Sequence, residues 1–97
     1  MSASDTDIPQ ISRDETLMLL RDLVAIRSEN PPGNEAAVAR YLAERLRPHG
    51  FVCDVHEAAP GRGSLVAVLR GAGTRPSIAF NGHLDTGPIG DGWTRDP

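Results

Sequence analysis

The chain is cut into short pieces by residues that cannot sit inside regular structure. Asn30-Pro31-Pro32-Gly33 stops any helix that reaches it, because proline removes a helical N–H, clashes with the preceding turn and pushes the residue before it toward extended backbone. Pro48 and Gly50 make a second stop, Pro60-Gly61-Arg62-Gly63 a third, and Gly71-Ala72-Gly73-Thr74-Arg75-Pro76 a fourth. From Gly82 onward, glycine or proline at 82, 87, 88, 90 and 92 excludes any long element. Each segment between stops holds one element, and hydrophobic periodicity says which kind.

Residues 1–11 read as a flexible arm, and 12–97 as the folded part. Ser12 offers an N-cap, with Glu15 at the capping-box spacing. Leu17, Leu20, Leu23, Val24 and Ile26 make a wide apolar stripe that predicts a helix ending near Arg27 or Ser28. Asn34 is the expected cap of a second helix over 35–47, with Val38, Leu42 and Leu46 on one face and Tyr41 beside them. Glu35, Arg40, Glu44 and Arg47 are expected outside.

Phe51–Glu57 alternates Phe51, Cys53 and Val55 against Val52, Asp54 and His56, the pattern of a half-buried strand. Leu65–Leu69 reads as a second, wholly apolar strand and Ser77–Phe80 as a third. Helix, helix, then three strands reads as the edge of an α/β or α+β layer with the helices over one face, and is taken as α/β: two helices followed by three strands of a mixed sheet, incomplete as it stands.

Ninety-seven residues make one domain or part of one, and a chain of this size buries only roughly two-thirds of its unfolded surface. The net charge of −3 argues against nucleic acid or an anionic membrane as partner. All ten basic residues are arginines, and Arg62, Arg70 and Arg75 lack the interleaved aromatics of a nucleic-acid surface. The single cysteine, Cys53, leaves no disulfide framework and no cysteine-based zinc site, and is expected in the core. The acidic N-terminus lacks the apolar stretch of a signal peptide, and no run is long enough to span a bilayer. A reduced, cytoplasmic setting is the expectation.

The chemistry concentrates in Ile78-Ala79-Phe80-Asn81-Gly82-His83-Leu84-Asp85-Thr86. A short apolar run delivers a histidine, and an aspartate follows two residues on. On extended backbone, residues i and i+2 point to the same side, so Asp85 could hold one ring nitrogen of His83 while the other faces a metal. Such a carboxylate partner fixes the tautomer and raises ligand basicity. In α/β sheets, ligands gather at the carboxyl ends of strands, where this pair falls. Asn81-Gly82 also suits a two-residue hairpin turn, although Gly87-Pro88 would cut the return strand short.

The run Asn30-Pro31-Pro32-Gly33-Asn34-Glu35, then Asn81-Gly82-His83-Leu84-Asp85-Thr86 after a strand, then Gly92-Trp93 and Asp96-Pro97 occur in one order. Together they resemble the family of co-catalytic zinc peptidases that includes acetylornithine deacetylase, succinyl-diaminopimelate desuccinylase, carboxypeptidase G and aminoacylase. The likeness covers about residues 14–97, with Gly87 standing where many members carry a bulkier apolar residue. It implies the N-terminal portion of a zinc-peptidase-like catalytic domain, acting on an amide bond of a small N-acyl amino acid or short peptide. It also implies two zinc or cobalt ions, bridged by an aspartate and water, with a glutamate as general base. His83 matches a terminal metal ligand, and Asp85 the catalytic aspartate that orients it. The bridging aspartate, the glutamates, the last histidine and a dimerising lid domain are expected beyond Pro97, so the 97 residues alone are expected to be inactive. Substrate-binding residues stay unassigned.

His49 falls at a helix C-terminus and His56 on the polar face of the first strand, so neither is expected to ligate. Asn30–Gly33 is explained as a helix connector, and Trp93 as a loop anchor. Asp91 and Asp96 read as exposed loop acids, and Asp54 and Glu57 as solvated charges on the first strand. Against the hydrolase stands a reading of another class: a truncated, non-catalytic module that keeps the motif as a relic.

Overall fold

The computed structural model describes residues 10–97; residues 1–9 of the expected N-terminal arm lie outside that range. Helix α1 spans Arg13–Ala25. Ser12 caps it as its spacing predicts: its hydroxyl accepts from the Glu15 N–H at 3.2 Å, which satisfies one of the orphan amides of the first turn. The helix stops at Ala25, and Ile26 turns extended while its N–H still reaches the Leu23 carbonyl at 3.3 Å. No residue of α1 is fully buried. Its half-buried side is Leu19, Leu23 and the following Ile26, with Leu17 on the flank, whereas Leu20 and Val24 from the expected stripe face out. The tie to the next helix is polar: the Tyr41 hydroxyl donates to Asp22 Oδ2 at 2.6 Å.

Helix α2 spans Glu35–Leu46 and tightens into a 3₁₀ turn over Arg47–His49, where Pro48 sits. Gly50 follows with φ +92° and closes the turn by an N–H bond to the Arg47 carbonyl, the left-handed exit that glycine permits. Asn34 occupies the N-cap position without a side-chain bond. Instead the Ala36 N–H donates to the Gly61 carbonyl at 3.0 Å, so the neighbouring hairpin satisfies the helix end. The buried core is Ala36, Val38, Ala39 and Ala43, all on α2. Small residues there let the sheet come close.

That sheet is one antiparallel hairpin, β1 (Val52–Ala59) with β2 (Arg62–Val68), turning at Pro60-Gly61. The expected four-residue loop is shorter, because Arg62 and Gly63 join the strand. Gly63 explains the closeness of the packing: a Cβ there would lie 2.7 Å from the Ala36 Cα, nearer than atoms can approach. Phe51, Cys53, Val55, Gly63, Leu65 and Ala67 are half-buried on the face that α2 covers. The alternation in β1 therefore follows the sequence. The second strand does not have two buried faces: Val66 and Val68, with Val52 across the ladder, look outward and are exposed.

The third strand expected over Ser77–Phe80 forms no ladder among the described residues. Ile78 is 82% and Phe80 95% exposed. A strand needs a hydrogen-bonding neighbour, and no described segment pairs with Ser77–Phe80; a cavity of about 670 Å³ is lined by Asn81–Asp85 together with Gly63, Ser64 and Leu65 of β2. The mixed α/β character stands, with two helices and a two-stranded antiparallel sheet in place of three mixed strands. Among the described residues no helix is long and apolar enough to cross a membrane.

Candidate functional site

Two segments far apart in sequence build the site: the connector between α1 and α2, and the glycine-rich stretch from Gly82. They meet as a short parallel bridge. The Asn30 N–H donates to the Thr86 carbonyl at 2.8 Å, and the Thr86 N–H to the Ser28 carbonyl at 3.1 Å. Ser28, buried at 4% exposure, adds a third bond from its hydroxyl to the Leu84 carbonyl at 3.0 Å. The Asn30-Pro31-Pro32-Gly33 run follows the bridge as a turn, closed by the Gly33 N–H on the Glu29 carbonyl at 2.8 Å, and Pro31 biases Asn30 before it toward extended backbone.

On this clamp sit His83 and Asp85. The His83 Nδ1 lies 3.0 Å from Asp85 Oδ1 and 2.8 Å from the Asp85 carbonyl oxygen. Both neighbours can only accept, so Nδ1 carries the hydrogen and, in the neutral ring, Nε2 presents its lone pair. The ring is 85% exposed and the Asp85 side chain 32%. The second Asp85 oxygen, Oδ2, accepts from the Asn30 amide at 3.1 Å. These bonds hold the Asp85 carboxyl below the ordinary carboxylate range: the Asn30 bond is the largest cause, partial desolvation opposes it, and the His83 bond and charge add to the lowering. At neutral pH Asp85 is an anion with both oxygens engaged.

The pair predicted to meet therefore meets, and it does so next to residues that had been read as a connector. Asn30 is a further side chain of the site, although its place in the sequence reads as a connector. The signal was present, since Asn30 opens a run that accompanies the histidine motif, but nothing local separates a turn asparagine from one that crosses to another segment. Arg62, expected on the loop surface, instead grips Glu35 through both carboxylate oxygens at 2.9 and 3.0 Å. Glu35 is buried rather than outward, and this pair lines the cavity that reaches His83.

The remaining candidates fall elsewhere. His49 and His56 are exposed and away from the clamp. The Trp93 indole N–H donates to the Ile89 carbonyl at 2.7 Å, as a loop anchor does. Glu57 is paired with Arg40 at 2.9 Å, and Asp54, Asp91 and Asp96 are exposed. Among the described residues no group of three or more His, Cys, Asp or Glu could hold a metal ion. The donor chemistry fits one ligand position, an imidazole backed by a carboxylate, and stops there.

Comparison with known proteins decides the kinship. Aminoacylase-1 of Sus scrofa is 35% identical over 86 residues, covering 84% of this chain and 21% of that enzyme. Succinyl-diaminopimelate desuccinylase of Janthinobacterium sp. (strain Marseille) is 36% identical over 85 residues, covering 86% of this chain and 21% of the enzyme. The chain belongs to the aminoacylase and desuccinylase family, matching its N-terminal part. A protein of Emericella nidulans named as a probable carboxypeptidase joins them, 39% identical over 74 residues and covering 74% of this chain and 17% of its own length. The chain spans about a fifth of the length of the first of these family members. No family model and no solved structure matches it.

Proposed function

We propose that these residues are the N-terminal part of a zinc-dependent hydrolase that cleaves the amide bond of a small N-acyl amino acid or short peptide. The observation that carries the proposal is the hydrogen-bonded pair of His83 and Asp85, on a chain whose relatives are named as aminoacylase and desuccinylase. His83 Nε2 is the ligand atom, and Asp85 keeps the proton on Nδ1 and turns the ring outward. A hydrolytic zinc site uses three protein ligands, so the other ligands and the general base come from sequence outside these 97 residues, and the segment alone is inactive. When bound, zinc polarises the substrate carbonyl and acidifies water. Cobalt would serve the same ligand set.

The uncovered faces support the same reading. Val52, Val66, Val68, Ile78 and Phe80 are exposed, as expected where further strands and helices of a larger catalytic domain pack. A reducing, cytoplasmic compartment suits the free, half-buried Cys53, and dimerisation through a lid domain belongs to the same proposal. The test is His83→Ala in the intact protein, followed by zinc analysis and hydrolysis of N-acyl amino acids. Loss of both activity and metal is expected. Unchanged zinc stoichiometry would overturn the assignment and leave the relic reading standing.

A further inference from the structure

We propose that Asn30 is a positioning residue for the His83–Asp85 pair, fixing the Asp85 carboxylate that shares the Nδ1 hydrogen of His83 with the Asp85 carbonyl and so adding to the preference for a free Nε2. The inference rests on the proposed role of His83, but its geometry stands apart from any metal. The Asp85 carboxylate has two oxygens and two partners: Oδ2 takes the Asn30 amide at 3.1 Å and Oδ1 faces the imidazole at 3.0 Å, beside the Asp85 carbonyl at 2.8 Å from the same ring nitrogen. A carboxylate held only by its own stem can rotate about its last bond. One held by a donor from another segment presents a fixed second oxygen. The amide also fits only one way round, since its oxygen turned toward Asp85 would set acceptor against acceptor.

Asn30 is itself held. Its N–H pairs with the Thr86 carbonyl, on the residue next to Asp85, so backbone and side chain of one residue grip neighbouring positions of the other strand. That double hold transfers the rigidity of the α1–α2 connector to an exposed ring. Ser28 provides a natural contrast. It binds the same segment through the Leu84 carbonyl without touching the carboxylate. If residues 28–30 served only to hold the loop, the two side chains would be equivalent; if Asn30 positions Asp85, they are not.

The experiment compares Asn30→Asp, Asn30→Ala and Ser28→Ala in the intact, metal-free protein labelled with ¹⁵N histidine. The spectra are taken at a pH where the imidazole is neutral, and the His83 signals are identified by their loss in His83→Gln. In the parent protein His83 is expected as the Nδ1–H tautomer. Asn30→Asp keeps size and shape but sets a second anion against Asp85 Oδ2, which should swing the carboxylate off the ring, leave Nδ1–H on the Asp85 carbonyl alone and raise the share of the Nε2–H tautomer. Asn30→Ala should do the same to a smaller extent, and guards against misfolding of the charged variant. Ser28→Ala should leave the tautomer unchanged.

In the same series, zinc affinity measured by competition with a chelator should fall several-fold in the Asn30 variants, less than the roughly 10–100-fold that loss of a direct outer partner costs. An unchanged Nδ1–H tautomer in both Asn30 variants would overturn the inference, as would an equal shift in Ser28→Ala. Failure of the hydrolase reading shows separately, as zinc content indifferent to His83, because the tautomer is read without metal.

Discussion

The Ser28 hydroxyl, on a residue only 4% exposed, donates to the half-buried Leu84 carbonyl across 56 positions of sequence, at 3.0 Å. With the two backbone bonds beside it, this contact fixes where the His83 loop sits relative to the helices. Position in the site is therefore set by the connector and not by a sheet.

Ser28→Ala removes that bond and leaves the Leu84 carbonyl short of a partner. A buried hydrogen bond of this kind contributes about 1 kcal/mol net. Faster amide hydrogen exchange at Thr86 than in the parent, with β1 and β2 unaffected, is the expected result.

Asp85→Asn should weaken metal binding far more than it weakens the fold. The substitution keeps the shape but withdraws the negative charge from the His83 ring, and loss of such a partner typically costs about 10–100-fold in affinity. Zinc titration against a competing chelator, with circular dichroism as the control for folding, measures both effects.

Gly63→Ala places a methyl group 2.7 Å from the Ala36 Cα and 2.8 Å from its Cβ. The obstacle is backbone and a short side chain, neither of which can swing away. Overpacking of this kind costs about 1–3 kcal/mol, and urea unfolding should show stability lowered by that amount, as a lower midpoint at unchanged slope.

Tyr41 is the only tyrosine of the chain, and its hydrogen bond to Asp22 is the first cause that raises its pKa above the ordinary 10.0. A raised folded value means that the phenol form is favoured by the fold. The stabilisation is complete below the ordinary value and is lost as pH climbs through the folded one. Absorbance titration at alkaline pH should give a midpoint above that of free tyrosine, and Asp22→Asn should bring it down. In parallel, α1 should lose amide protection in alkali before the hairpin does.

Much of the local structure was legible because its causes are local. The Ser12 cap, the close of α2 around Pro48 and Gly50, the alternation of Phe51, Cys53 and Val55, and the His83–Asp85 pair all follow from neighbours within a few residues, whereas α1 ends at Ala25, short of the expected Arg27 or Ser28. What escaped depends on partners distant in sequence. Glu35 reads as an outward charge until Arg62 arrives from the hairpin. Leu20 and Val24 fit a stripe, but the face that α1 turns inward is chosen by what lies opposite, and Leu19 won. The apolar run Ser77–Phe80 has the composition of a strand and no ladder among the described residues. Asn30 looked like punctuation because its partner is 55 residues away.

The parallel bridge between Glu29 and Thr86 also implies an order of events. Helix α2 and the hairpin span residues 35–68 and draw on contacts close along the chain, which form early because little loop entropy is lost in closing them. The bridge encloses that whole unit and can shut only after the unit exists. The clamp that seats the pair against the connector is consequently expected to close late during folding and to open first. Any ion or substrate bound there would act as a latch on the final step of assembly, stabilising the folded chain in proportion to its occupancy.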